Sequence, residues 1–183
     1  MFKQLTAGAL VCLVLAACAP KQDDAQQQQA QDLRVSISAL ENELRNAKGK
    51  LVDYDRGSLI VEQYRQYARS LPKDSLAPVY LFRAADVARG IGDFPLAITL
   101  WGQVNKDYPE YERAPEALFL QGLTAENDRK DKAAAKAYYS DFLKRYPQHP
   151  LSKDAKLLLS YIESGKSEED LIREFKDRPA ATE

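Results

Sequence analysis

The chain has 183 residues, with 26 basic and 27 acidic side chains and a net charge of −1. No run of basic residues would track a phosphate backbone, which excludes nucleic acid as a partner. A single histidine, His149, and two cysteines, Cys12 and Cys18, are too few for a histidine metal pair or a Cys/His nucleophile. Serine-hydrolase motifs and glycine-rich phosphate loops are missing too. Carboxylates are numerous enough for a glycosidase-like pair, but on repeating amphipathic helices they belong first to solvated faces. No catalytic residue, metal site or cofactor is therefore expected.

Met1-Phe-Lys3 is a short basic start, and Leu5–Leu15 is an apolar run. A bilayer-spanning helix takes roughly 20 residues, so this shorter run has the shape of a secretory signal peptide, residues 1–17. Leu15-Ala-Ala-Cys18 resembles the lipobox of bacterial lipoproteins. That resemblance implies cleavage before Cys18 and a diacylglycerol thioether on its sulfur, with palmitate among the fatty acyl chains. The alternative is an ordinary signal peptide that leaves Cys18 as a free thiol. With Cys12 in the discarded segment and Cys18 lipidated, no thiol pair remains for a disulfide. Two or more acyl chains anchor stably where one chain binds marginally. Ala19 stands where an inner-membrane retention aspartate sits in enterobacterial lipoproteins, and by that resemblance the destination is the outer membrane. Lys21-Gln-Asp-Asp24 also resembles a surface-export signal of Bacteroidetes lipoproteins, which leaves the leaflet open. Residues 18–32, rich in glutamine and without an apolar period, are predicted to be the lipidated cysteine and a disordered tether.

A helical domain is predicted over residues 33–176. Leu33, Ile37, Leu40, Leu44, Ala47 and Leu51 step 4, 3, 4, 3, 4. This stripe suits either a coiled coil for self-association or the first helix of a worn repeat. It covers fewer than the roughly three heptads that argue for a coiled coil, which favours the second.

Two stretches, Pro78–Pro109 and Pro115–Pro147, then repeat each other. Pro78-Val-Tyr-Leu-Phe82 aligns with Pro115-Glu-Ala-Leu-Phe119, and Ala88 with Ala125. Asp93, Ala97, Trp101 and Tyr108-Pro109 align with Asp131, Ala135, Tyr139 and Tyr146-Pro147. The offset grows from 37 to 38, so one residue is inserted near Asn127–Lys130. Such a period signals helix–turn–helix units that bury their apolar faces only by stacking. Leu81, Ala84, Ala85 and Ala88 form one face of a first helix, ended by Gly90 and Gly92. Asp93 caps the second helix, Pro95 fits its first turn, and Pro109 stops it. Phe94, Ala97, Trp101, Val104 and Tyr108 draw its stripe. Upstream, Ile60, Tyr64, Tyr67 and Leu71-Pro72 match Ala97, Trp101, Val104 and Tyr108-Pro109 at offset 37. The array thus holds about three repeats, the first one worn.

Downstream, Leu157, Leu158, Tyr161 and Ile162 continue a helix to Gly165. Ser167-Glu-Glu-Asp170 opens a short helix, and Leu171, Ile172 and Phe175 are expected to fold it back as a terminal cap. Residues 177–183 form a tail.

Ala85, Ala97, Trp101 and Pro109, with Gly122, Ala135, Tyr139 and Pro147, resemble the tetratricopeptide repeat (TPR) at its small, alanine, aromatic and proline positions. The departure is Ala88 and Ala125, where the family usually carries tyrosine. The Tyr-Pro ending and the Ala-Pro-Glu-Ala link are similar to bacterial envelope proteins. Examples are the outer-membrane assembly lipoprotein BamD and the division coordinator YbgF/CpoB. The fold expected is all-α, a TPR-like helix–turn–helix solenoid. The resemblance implies a partner-binding groove at Val79, Phe82, Asp86, Arg89, Glu116, Phe119, Leu123, Glu126, Leu157 and Tyr161, with Phe82 and Phe119 as anchors. Partners would be protein or peptide segments of the outer-membrane assembly machinery. The alternative is coordination of envelope constriction or peptidoglycan synthesis, of Tol-Pal/YbgF type.

Overall fold

The computed structural model describes residues 22–46 and 54–166, together with Asp170 and Arg173. The signal peptide, Cys18, Ala47, Leu51, the packing of Leu171, Ile172 and Phe175, and the tail lie outside the described residues.

Among the described residues the fold is all-α, with seven helices in an antiparallel-type succession of short links. They are α1 (Gln22–Asn46), α2 (Tyr54–Ser70), α3 (Ala77–Gly90), α4 (Phe94–Asp107), α5 (Ala114–Leu123), α6 (Lys132–Arg145) and α7 (Ser152–Ser164). Each helix packs mainly on the one before it and the one after it. That is the arrangement of a TPR-like array: α1/α2, α3/α4 and α5/α6 are units, and α7 begins another.

The three links are built alike, which is why the units stack regularly. Asp74 N donates to Leu71 O and Ala77 N to Asp74 O, both at 3.0 Å. Tyr111 N to Tyr108 O (3.0 Å) and Ala114 N to Tyr111 O (2.8 Å) repeat this, as do His149 N to Tyr146 O (3.1 Å) and Ser152 N to His149 O (2.9 Å). His149 is thus a link residue, its ring edge-on to Phe142 and its Nδ1 accepting from Leu151 N at 3.2 Å. Tyr108 and Tyr146, each before a proline, leave the helical region at φ −131° and −129°, which ends α4 and α6. Asp93 and Asp131 cap the following helices, accepting from Leu96 N (3.2 Å) and Ala134 N (2.9 Å).

The worn repeat buries the positions that the offset assigns to it. Ile60, Tyr64, Tyr67 and Leu71 are buried, as are Ala97, Trp101 and Val104 in the next unit. Two core clusters fill the array, one from Ala30 to Ala117 and one from Leu118 to Ala155.

One expectation changes at the front of the chain. Gln22–Asp32 is not a tether but the first turns of α1. Glutamine and alanine are good helix formers, and Ala30 packs into the core beside Leu33 and Ile37. The Leu33–Leu44 stripe, in turn, faces the array: Leu33 and Ile37 are buried, with Leu40 and Leu44 packed against the same cluster. The worn-repeat reading accounts for it.

The inserted residue has a physical form. After α5 the chain makes a π turn over Thr124–Asp128, with Arg129 N donating to Thr124 O at 3.1 Å. Asp131 N then reaches Ala125 O (2.8 Å), six residues back, where Asp93 N reaches Ala88 O (2.8 Å), five back. A widened turn absorbs the extra residue without disturbing α6. Lys130 takes the left-handed conformation there (φ 57°), which Gly92 takes in the preceding unit (φ 84°). A side chain in that region costs about 1–2 kcal/mol, and glycine's extra unfolded-state entropy returns part of it. Lys130→Gly is therefore expected to raise stability by about 0.5–1 kcal/mol in urea denaturation.

Candidate functional site: the face of the first helices

The candidate site lies on α3, α5 and α7, the first helices of their units. α3 and α5 each have neighbours on two sides, so their buried stripes are wide and only part of each turn faces outward, while α7 packs on α6. Of the residues expected in a groove, Asp86 and Leu157 are exposed, Leu157 at 68%. Val79, Arg89, Glu116, Leu123 and Tyr161 are half-buried. Leu123 packs on the second core cluster, and Lys132 Nζ stands 5.1 Å from the ring centroid of Tyr161.

Three of the expected groove residues face inward. Phe82 is fully buried, edge-on to Trp101 and Tyr111, with the Arg113 guanidinium 3.7 Å from its ring centroid. Phe119 is 6% exposed and packs on Tyr139 and Phe142. Glu126 is 8% exposed and accepts a hydrogen bond from Tyr139 Oη at 2.8 Å. The two phenylalanines are core residues, not peptide anchors: the following link closes over the first and α6 covers the second.

Two clefts meet on this face at Leu120. One, of about 540 Å³, is lined by Asp86, Arg89, Gly90, Phe94, Trp101, Leu120 and Asp128. The other is lined by Glu112, Arg113, Glu116, Leu120, His149 and Leu151, with the edge of Phe119. Ion pairs stiffen both: Arg89 Nε–Asp128 Oδ2 at 2.7 Å, and a two-pronged Arg113–Glu116 pair at 2.7 and 2.8 Å. The bond from Arg113 holds the Glu116 carboxyl below its ordinary range.

Asp86 behaves oppositely. The residue as a whole is exposed, yet its carboxyl end sits against the cleft wall. Burial there pushes its pKa up to about 6, against the pull of Arg113, and Glu116 adds to the rise. A carboxyl whose folded pKa is raised holds its proton longer in the folded state. Its contribution therefore favours folding below the unfolded value near 3.8 and is lost as pH rises through about 6. Asp86→Asn is expected to flatten the fall in urea midpoint between those two pH values, and NMR titration of Asp86 should centre near the upper one.

Sequence reasoning missed Leu120, Arg113, Phe94 and Asp128 as lining residues. Arg113 flanks a helix start, where nothing in the period marks a side chain for the outer face, and the period assigns Phe94 to the apolar stripe of α4. Asp128 arrives there only through the π turn. The polar clasp between units was missed as well. Asn105, buried, donates to Ala114 O (2.8 Å) and Tyr146 Oη (3.0 Å) and accepts from Arg145 Nη1. Among the described residues, no group of three His, Cys, Asp or Glu side chains is placed to hold a metal. No described helix is long and apolar enough to cross a membrane.

An array of sequentially stacked helical hairpins, with a charged face on its first helices, belongs to the class of repeat-built binding scaffolds. Residues 116–149 match the family model of the tetratricopeptide repeat, so α5 through the link after α6 is such a repeat. Among curated proteins none matches the chain.

Proposed function

We propose that this protein is a non-catalytic, lipid-anchored adaptor that faces the periplasm from the outer membrane. It docks an extended or helical segment of a partner protein on the face of α3, α5 and α7. The observation that carries the reading is the tetratricopeptide repeat at residues 116–149, set in an array of like units. Stacked repeats present extended surfaces and bind proteins through them. The anchor rests on Leu15-Ala-Ala-Cys18 after an apolar run, and the outer-membrane address on Ala19. Radiolabelled palmitate is expected to enter the wild-type protein and not Cys18→Ala.

The partner class favoured is the machinery that assembles outer-membrane proteins. Coordination of envelope constriction or peptidoglycan synthesis is the second reading, and self-association through α1 would accompany it. The burial of Leu33 and Ile37 against the array favours the first. A photo-crosslinking residue placed at Glu112, exposed beside the second cleft, tests the adaptor in intact cells against the same residue at Ser140 on α6. Barrel-assembly components captured from Glu112 and not Ser140 are the expected result. Division or cell-wall proteins captured there would favour the second reading. Equal capture from both positions would overturn the assigned face.

A further inference from the structure

The aromatic positions Tyr64, Trp101 and Tyr139 recur with the units, and each has a carboxylate near it, although those carboxylates do not hold equivalent places in the repeat. In each unit the aromatic residue of the second helix turns its polar atom toward a carboxylate of the first helix or, in the third unit, of the π turn that follows it. Tyr64 Oη donates to Glu41 at 2.7 Å, and Tyr139 Oη to Glu126 at 2.8 Å. Glu41 also receives Arg83 at 2.8 Å, and Glu126 is buried. Both are closed. The middle member differs: Trp101 is buried, its indole Nε1 has no hydrogen-bond partner at bonding distance, and it faces an exposed Asp86.

We propose that the cleft between α3 and α5 receives a lysine or arginine side chain of the docked segment, with Asp86 as its counter-ion. This deepens the adaptor reading and rests on it. Charge supports a cation. Around the cleft three carboxylates, Asp86, Glu116 and Asp128, face two guanidiniums, Arg89 and Arg113. The guanidiniums are each held in a short ion pair, so Asp86 is the charge left over. Shape agrees with it. Phe94, Leu120 and the edge of Trp101 offer apolar wall for the methylene stem of a long basic side chain, whose head then meets the carboxylate. An acidic side chain would find both guanidiniums already engaged and Asp86 repelling it. The raised pKa of Asp86 fits a carboxylate that lacks this cation.

The test uses the full chain held in detergent and short random peptides displayed on phage. Recovered peptides are resynthesised, and binding is followed by fluorescence anisotropy and by the emission of Trp101, the single tryptophan of the chain. The expected result is that binders share a lysine or arginine and shift the Trp101 emission. Replacing that residue by norleucine, or Asp86 by Asn, should weaken binding at least about tenfold, while Asp107→Asn on α4 leaves it unchanged. Thermal melts of Asp86→Asn at or above those of wild type would show that the loss is not unfolding. Binders without a basic residue, or indifferent to Asp86→Asn, overturn the counter-ion assignment and leave the adaptor reading standing. Recovery of no peptide by the folded protein overturns both.

Discussion

Replacing Phe82 by alanine is expected to cost about 3–5 kcal/mol, the range for emptying a fully buried aromatic site. The ring has no exposed surface and is enclosed by Trp101, Tyr111 and the Arg113 guanidinium. It joins α3 to the second helix of its own unit and to the link that starts the next. A cavity there loosens two interfaces, and the sides cannot collapse because α2 and α4 hold α3 between them. For a domain stabilised by about 5–15 kcal/mol, the loss is a large share of the total. Urea unfolding measures it, and the emission of Trp101 should shift to the red as its neighbour is removed. A cost below about 1 kcal/mol would mean that the side chain lies on the surface after all.

Gly122→Ala is expected to destabilise by about 1–3 kcal/mol, although alanine is the better helix former. An added Cβ would stand 2.5 Å from Tyr139 Cε1, 2.8 Å from Cδ1 and 3.1 Å from Cζ. The tyrosine ring cannot yield. Its hydroxyl is bonded to Glu126, and its flank rests on Phe119. Two other glycines calibrate the result. At Gly102 the added atom meets Gln121 Nε2 at 2.9 Å, the end of a flexible side chain that donates to Ile98 O, so the cost is about one hydrogen bond, ~1 kcal/mol. At Gly90 nothing lies within 4 Å, and Gly90→Ala should stabilise by about 0.4–1 kcal/mol through the unfolded chain. Thermal melts of the three variants should rank in that order. Equal effects at Gly122 and Gly90 would refute the close approach of α5 and α6.

The contrast between Phe82 and Asp86 shows how far residue order carries. Both stand on α3, four positions apart, and the repeat frame assigns both to a groove. A helical period says which residues share a face but not how much of the circumference the neighbours cover. In an array each inner helix is covered on two sides, so the stripe widens beyond one face. Phe82 falls under the cover, and Asp86 falls at its edge. Glu126 is hidden for a related reason: the π turn draws it over Tyr139.

Sequence by itself determined the helical array: the offset of 37, the extra residue near Asn127–Lys130, the aspartate caps, the prolines that end helices and the recurring aromatic position of Tyr64, Trp101 and Tyr139. Caps and helix ends are local matters, decided by backbone sterics within one helix turn, and the offset is legible because like units recur along the chain. Tertiary structure alone decided which carboxylates are closed and which is open. Tyr64 meets Glu41 across 23 positions and Asn105 meets Tyr146 across 41, and such encounters depend on how the packed helices set their side chains against one another. The wide stripe and the place of Asp86 at the edge of a cleft follow from that packing, because burial is a property of neighbours and not of order along the chain.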